Sequence, residues 1–191
     1  DCLVKRAVAE ALRGELGDAF SQLAGGDDAQ LWECSAIIAA KGCAPQILHA
    51  DTVFTDSPQV FTALVALQNI QPHMGATRFV PRTMSGVRGE KAHELLEQDR
   101  DGDGKNGYAS RVSSVVAALR EGEAVLYDSR TLHCGGPHQP APEEPPERVV
   151  LVLSFRHALA DESLSNTDMH GAGSVLPEIA AMQLTLGPLR R

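Results

Sequence analysis

The sequence predicts a mainly β fold with flanking helices, an antiparallel sandwich or barrel, and three observations predict it. Short segments rich in Val, Ile, Leu and Phe, separated by Gly and Pro, recur from Leu31 onward. Helical periodicity is confined to three places. Helices and strands do not alternate as a doubly wound parallel sheet requires. At 191 residues, 43% hydrophobic and 22% charged, the chain can bury one sizeable core but not two, so one domain over 1–191 is expected.

In chain order, Leu3, Ala7, Val8, Ala11, Leu12, Leu16, Ala19, Phe20 and Leu23 recur at intervals of three and four. They predict one amphipathic helix within 1–24, stopped by Gly25-Gly26-Asp27-Asp28. Strands are expected at 31–40, 46–54, 60–70, 77–80, 124–127 and 148–155, giving a barrel core over 31–156. Helical spacing returns around His93-Glu94-Leu95-Leu96 and over 112–119, the second closed by Arg120 and Gly122. The polar segment 98–107 and the Pro-rich segment 137–146 are expected to be surface loop insertions.

Composition narrows the function classes. A net charge of −8 and only 4% aromatic residues leave neither the basic patch nor the stacking rings that nucleic-acid binding uses. No apolar run approaches the roughly 20 residues of a membrane-spanning helix, so no membrane partner is expected. Cys2, Cys34, Cys43 and Cys134 form no C-x-x-C pair, which points to reduced thiols and favours an intracellular, cytoplasmic setting. The chain opens on Asp1, as a trimmed start or an excised domain would.

Chemistry concentrates in His49-Ala50-Asp51. Residues two apart on a strand face the same way, so this imidazole and carboxylate can reach one ion inside a barrel. A second histidine, His133, follows the apolar run Ala124-Val125-Leu126-Tyr127 and precedes Cys134-Gly135-Gly136. Two histidines and one carboxylate on a β scaffold form the facial triad of non-haem Fe(II) oxygenases, which leaves three coordination positions open. Arg148 opens the last apolar strand, where its guanidinium can clamp a distant carboxylate through two parallel hydrogen bonds.

These blocks, in order, resemble the phytanoyl-CoA dioxygenase-like family of Fe(II)/2-oxoglutarate oxygenases. The resemblance runs from about Leu31 to Arg156: Gln46-x-x-His49-x-Asp51, then Gly75-Ala76-Thr77-Arg78-Phe79-Val80-Pro81 with Thr83, then Gly122-Glu123 through Gly136, then Arg148 and its strand. It implies a double-stranded β-helix (a jelly-roll, cupin-like barrel) with Fe(II) held by His49, Asp51 and His133. It also implies that 2-oxoglutarate chelates the iron while Arg148 holds its far carboxylate, with molecular oxygen as the third reactant. Gln46 is a further candidate for the co-substrate or the surroundings of the iron. The implied reaction is hydroxylation of an aliphatic C–H bond of a small molecule, coupled to decarboxylation of 2-oxoglutarate to succinate. Asp51 stands where halogenating relatives need a small residue. Two departures from the family pattern stand out: Arg82-Thr83-Met84 replaces the usual Gly-Ser-His or Gly-Thr-His, and the Pro-rich insert lengthens the interval from His133 to Arg148. Arg156, on the same strand face, is the alternative anchor.

Other signals read more plainly. Asp99-Arg100-Asp101-Gly102-Asp103-Gly104 matches the start of an EF-hand loop, but Ser110 stands where the bidentate Glu belongs, so a solvated acidic loop is expected. His138 is the rival metal ligand to His133; His73, His93, His157 and His170 read as surface or half-buried polar residues, and Cys134 as a small packed thiol. The alternative functions are a non-catalytic β-barrel binding module of the same fold and a related oxygenase acting on a protein.

Overall fold

The computed structural model describes residues 2–100, 107–160 and 184–190. The apolar N-terminal stripe folds as two helices rather than one, α1 (Cys2–Arg13) and α2 (Glu15–Leu23). They part at Gly14, whose extended backbone (φ −101°, ψ −152°) ends one helix and caps the next. In chain order there follow β1 (Gln30–Ala40), β2 (Val60–Ala66), β3 (Thr77–Phe79), α3 (Gly86–Arg100), α4 (Tyr108–Arg111), β4 (Val115–Val116), β5 (Ala124–Asp128), β6 (His133–Gly135), β7 (Glu147–Arg156) and α5 (Leu186–Leu189).

The strands make two antiparallel sheets, β1-β7-β2-β5 and β4-β3-β6. The second sheet gains a fourth member at 46–51, which is bonded to β6 and the turn before it: Gln46 N–H to Gly135 O, His49 and His133 N–H to each other's carbonyls, and Asp51 N–H to Ser129 O. This is the double-stranded β-helix expected from the sequence. The strand expected at 46–54 therefore ends at Asp51, and the one at 60–70 shortens to β2 with an isolated bridge between Ile70 and Leu119.

Helices close both outer faces. Leu12, Phe20, Ala24 and Leu186 pack on Phe61, Ala63, Val65, Leu153 and Phe155 of the larger sheet. Ala92 and Leu96 of α3 pack on Ala50, Val80 and Leu132 behind the smaller sheet. Between the sheets lie Leu64, Ala66, Ile70, Ala76, Phe79, Val150 and Val152. β2 is buried along its whole length, which is why it reads as a continuous apolar run.

Gly17 lets α1 and α2 meet: a Cβ there would overlap the Leu12 carbonyl oxygen. Gly17→Ala should destabilise the fold by about 1–3 kcal/mol, the usual cost of overpacking. A thermal melt of the purified variant checks this, and an unchanged midpoint contradicts the close packing.

One further expectation is corrected. Segment 112–119 is not a helix: it leaves α4 extended, and Val115 and Val116 pair with Phe79 and Arg78 of β3. Val112, Val115, Val116 and Leu119 match a helical period by coincidence, whereas their β-branched members suit a strand, and β3 has a free edge for them. The Pro-rich segment 137–146 is a largely exposed loop in which His138 is buried and bridges to Met74. The other proposed insertion, 98–107, begins as the last turn of α3, and most of the EF-hand-like stretch falls at 101–106, outside the described residues, as does His170. Among the described residues no helix is long and apolar enough to cross a membrane.

Candidate metal centre

His49 and Asp51 sit at the end of the 46–51 segment and His133 at the start of β6, so the backbone pairing of His49 with His133 brings the three side chains together. One ligand atom from each lies within 4.8 Å of the others. Asp51 Oδ1 is 3.7 Å from His49 Nε2 and 3.5 Å from His133 Nε2, and the imidazole centroids are 4.5 Å apart.

Both imidazoles are oriented by their own backbone. His49 Nδ1 lies 2.8 Å from Ile47 O, and His133 Nδ1 lies 2.9 Å from Thr131 O. A carbonyl can only accept, so each Nδ1 carries a proton, and Nε2, on the side of Asp51, is the nitrogen left for a metal. This is how a metal-ligating histidine is held before the metal arrives. Burial pulls the His133 pKa below the ordinary histidine value; Asp51 opposes that pull, His49 adds to it, and the bond to Thr131 opposes it. The donor set of two imidazole nitrogens and one carboxylate oxygen fits a non-haem iron.

Tyr127, on β5, completes the cluster: its hydroxyl donates to Asp51 Oδ2 at 2.8 Å and lies 3.4 Å from His133 Nε2. Burial, with Asp51's charge adding to it, pushes this phenol well above the usual tyrosine range. Phe79 stacks on His133 at 5.6 Å and tilts against Tyr127 at 4.9 Å. Sequence reasoning gave Tyr127 no role, because it ends an apolar strand whose neighbours are known only once the sheets are assembled.

Glu33 was missed as well. It is 8% exposed and stands in register with Ser154 of β7, which faces Thr62 of β2, which faces Tyr127 of β5. Thr62 Oγ1 lies 2.9 Å from Ser154 Oγ and 3.0 Å from Ser129 Oγ, so one row of polar side chains crosses the larger sheet toward Asp51. Burial pushes the Glu33 carboxyl above its ordinary 4.5; the Ser35 hydroxyl, donating at 2.6 Å, opposes that rise, Asp51 adds to it, and Ser154 opposes it. A carboxyl with a raised folded-state pKa holds more protons folded than unfolded, so its stabilising contribution is complete below the unfolded value and is lost as pH rises through the folded one. Glu33→Gln should therefore gain stability relative to the parent as pH rises from near 4.5 to neutral. Melting midpoints of the pair across that range check it, and a constant difference contradicts it.

Arg148 is buried on the face of β7 that also carries Val150, Val152 and Ser154. Its Nη1 donates to Gly75 O, and its buried Nε has no hydrogen-bond partner. Desolvation lowers its pKa from the ordinary arginine value. Arg156 lies at the other end of the strand, over the Trp32 ring at 5.7 Å, with Nη2 3.4 Å from Ala160 O. Gln46 Oε1 accepts the Gly135 N–H at 2.7 Å. With Leu48, Arg78, Val80 and Cys134 it lines a cleft of about 410 Å³ beside α3. Leu48, Arg78, Val80 and Cys134 alternate with His49, Phe79 and His133, so they line the cleft from the back of the smaller sheet, the face away from the triad.

His138 stands apart from the triad. Its ring nitrogens lie 2.9 Å from Met74 O and 3.1 Å from Pro146 O, so both are engaged by backbone carbonyls. Cys134 is half-buried, and burial raises its pKa from the ordinary thiol value.

A two-histidine, one-carboxylate cluster on a double-stranded β-helix defines the class of non-haem Fe(II)/2-oxoglutarate oxygenases. The chain belongs to the phytanoyl-CoA dioxygenase (PhyH) family, which matches its residues 4–141. No curated protein matches it in sequence. Among solved structures it is similar to SnoN, a non-haem α-ketoglutarate-dependent epimerase from nogalamycin biosynthesis, at 18% identity and a TM-score of 0.57 over 92% of this chain and 67% of that one. It is similar to AviO1 from Streptomyces viridochromogenes Tue57, at 17% identity and 0.55 over 78% and 60%. It is also similar to EvdO2 from Micromonospora carbonacea var. aurantiaca complexed with 2-oxoglutarate, at 20% identity and 0.54 over 87% and 70%. The chain spans 60–70% of the length of these three proteins.

Proposed function

We propose that this protein is an Fe(II)- and 2-oxoglutarate-dependent dioxygenase that hydroxylates an aliphatic C–H bond of a small molecule. The observation that carries the reading is the convergence of His49, Asp51 and His133 within 4.8 Å, with both Nδ1 atoms held by backbone carbonyls. These three would hold the iron. When bound, iron and 2-oxoglutarate supply the oxidant, with 2-oxoglutarate leaving as succinate and carbon dioxide.

The chain's own residues prepare that chemistry. Three protein ligands would leave room beside a bound ion for the co-substrate and oxygen. Phe79 and Tyr127 pack against the His133 ring, which is buried. Arg148 would hold the far carboxylate of 2-oxoglutarate: a buried donor without a partner is costly, and an anion brought to Nε removes that cost. The family match ends at residue 141, so this assignment rests on the burial and orientation of Arg148 rather than on the family. Gln46 supports the site indirectly, by fixing Gly135 two residues beyond His133.

The small-molecule reading is supported by SnoN, whose substrate pathway is nogalamycin biosynthesis. Screening small molecules for succinate formation above the rate without substrate tests the proposal, with product mass read in parallel. A product heavier by one oxygen supports hydroxylation. Succinate formation with a product of unchanged mass points instead to an isomerisation, and no metal-dependent turnover with any substrate points to a binding module.

A further inference from the structure

We infer that Tyr127 is a positioning residue for the metal centre: its hydroxyl occupies one oxygen of Asp51 so that the other is presented to the iron. The inference rests on the reading of His49, Asp51 and His133 as iron ligands and adds a fourth residue to them. Asp51 Oδ1 faces both histidine Nε2 atoms, at 3.7 and 3.5 Å, while Oδ2 accepts the Tyr127 O–H at 2.8 Å. The two oxygens thus have separate partners. A carboxylate free to rotate could offer either oxygen, or both at once, and would take a second coordination position that 2-oxoglutarate or oxygen needs. Holding Oδ2 on the phenol keeps Asp51 a single-atom ligand.

Geometry also decides between the two acceptors within reach of the phenol. His133 Nε2 is 3.4 Å away, beyond a good hydrogen bond, so the hydroxyl leaves that lone pair to the metal. The ring itself is fixed from several sides. Phe79 lies 4.9 Å away and His133 4.8 Å away, and Thr62 stands directly opposite on β2, its own hydroxyl tied to Ser154 and Ser129. A phenylalanine would fill the same space, so packing alone does not account for the hydroxyl. The group it donates to is the ligand carboxylate, while the Thr62 hydroxyl also hydrogen-bonds the phenol.

Residues that hydrogen-bond a metal ligand change metal affinity by about 10–100-fold when removed. The test uses Tyr127→Phe, with Co(II) as the probe ion and without 2-oxoglutarate or oxygen. Co(II) affinity is measured by calorimetry, the d–d spectrum reports the coordination of the ion, and the melting midpoint of the metal-free protein reports the fold. We expect the variant to melt within about 4 °C of the parent, to bind Co(II) about tenfold or more weakly, and to show an altered d–d spectrum. Equal affinity and an identical spectrum in parent and variant would overturn the inference. So would loss of the fold, because that assigns Tyr127 to packing instead. His133→Ala, measured alongside, separates this inference from the reading beneath it. If the parent binds Co(II), His133→Ala does not, and Tyr127→Phe matches the parent, the triad stands and only the role of Tyr127 falls. If the parent does not bind Co(II), both fall.

Discussion

His133→Ala is expected to lose Fe(II) binding by about 100-fold or more and to abolish turnover. Removing a hydrogen-bonding neighbour of a metal ligand already costs about 10–100-fold, and His133 is one of the three proposed ligands. Among the described residues no other His, Cys, Asp or Glu joins His49 and Asp51 around one point. His138 is the histidine closest in sequence, yet it is buried with both ring nitrogens on backbone carbonyls, so its role is to tie Pro146 to Met74. His138→Ala should accordingly leave Fe(II) affinity near that of the parent while lowering the melting midpoint. Calorimetric titration of the two variants under anaerobic conditions separates them. Iron lost in His138→Ala and kept in His133→Ala would require the ligand set to be redrawn.

Arg148→Ala is expected to raise the apparent KM for 2-oxoglutarate by about 30-fold or more while leaving Fe(II) affinity nearly intact. The figure corresponds to ~2 kcal/mol, the lower end of the cost of truncating one partner of a buried charge pair. Arg148 is suited to the task because its fork is planar, it is buried, and its Nε is unpartnered. Arg156→Ala is the control, since that guanidinium lies over Trp32 at the far end of the same strand. Steady-state kinetics with 2-oxoglutarate varied, together with metal titration of both variants, checks this. A selective rise in Arg156→Ala with none in Arg148→Ala would move the anchor to the other end of β7.

The sequence was most informative where one strand face decides the outcome. His49 and Asp51 are two apart, so any extended backbone turns them the same way, and the apolar run of β7 could only be a buried strand. It was least informative where a distant partner decides. Val115 and Val116 carry a helical spacing, and only the open edge of β3 makes them a strand. Gly14 splits the N-terminal helix although the apolar stripe continues across it. Tyr127 lies seventy-six residues from Asp51, and nothing in its own strand says that the pairing of β5 with β2 will carry its hydroxyl to a ligand. Gln46 shares a segment with His49, yet only the folded structure shows that its side-chain oxygen accepts the Gly135 N–H.

His49, Asp51 and His133 are proposed to hold an Fe(II) that 2-oxoglutarate then chelates. Anaerobic addition of Fe(II), then 2-oxoglutarate, to the metal-free protein tests it most directly, followed by visible absorption of the metal-to-co-substrate charge-transfer band. A band that appears only when both are present, saturates at one iron per chain and is absent in Asp51→Ala is the predicted result. Absence of the band in the parent, or its persistence in Asp51→Ala, would contradict the account.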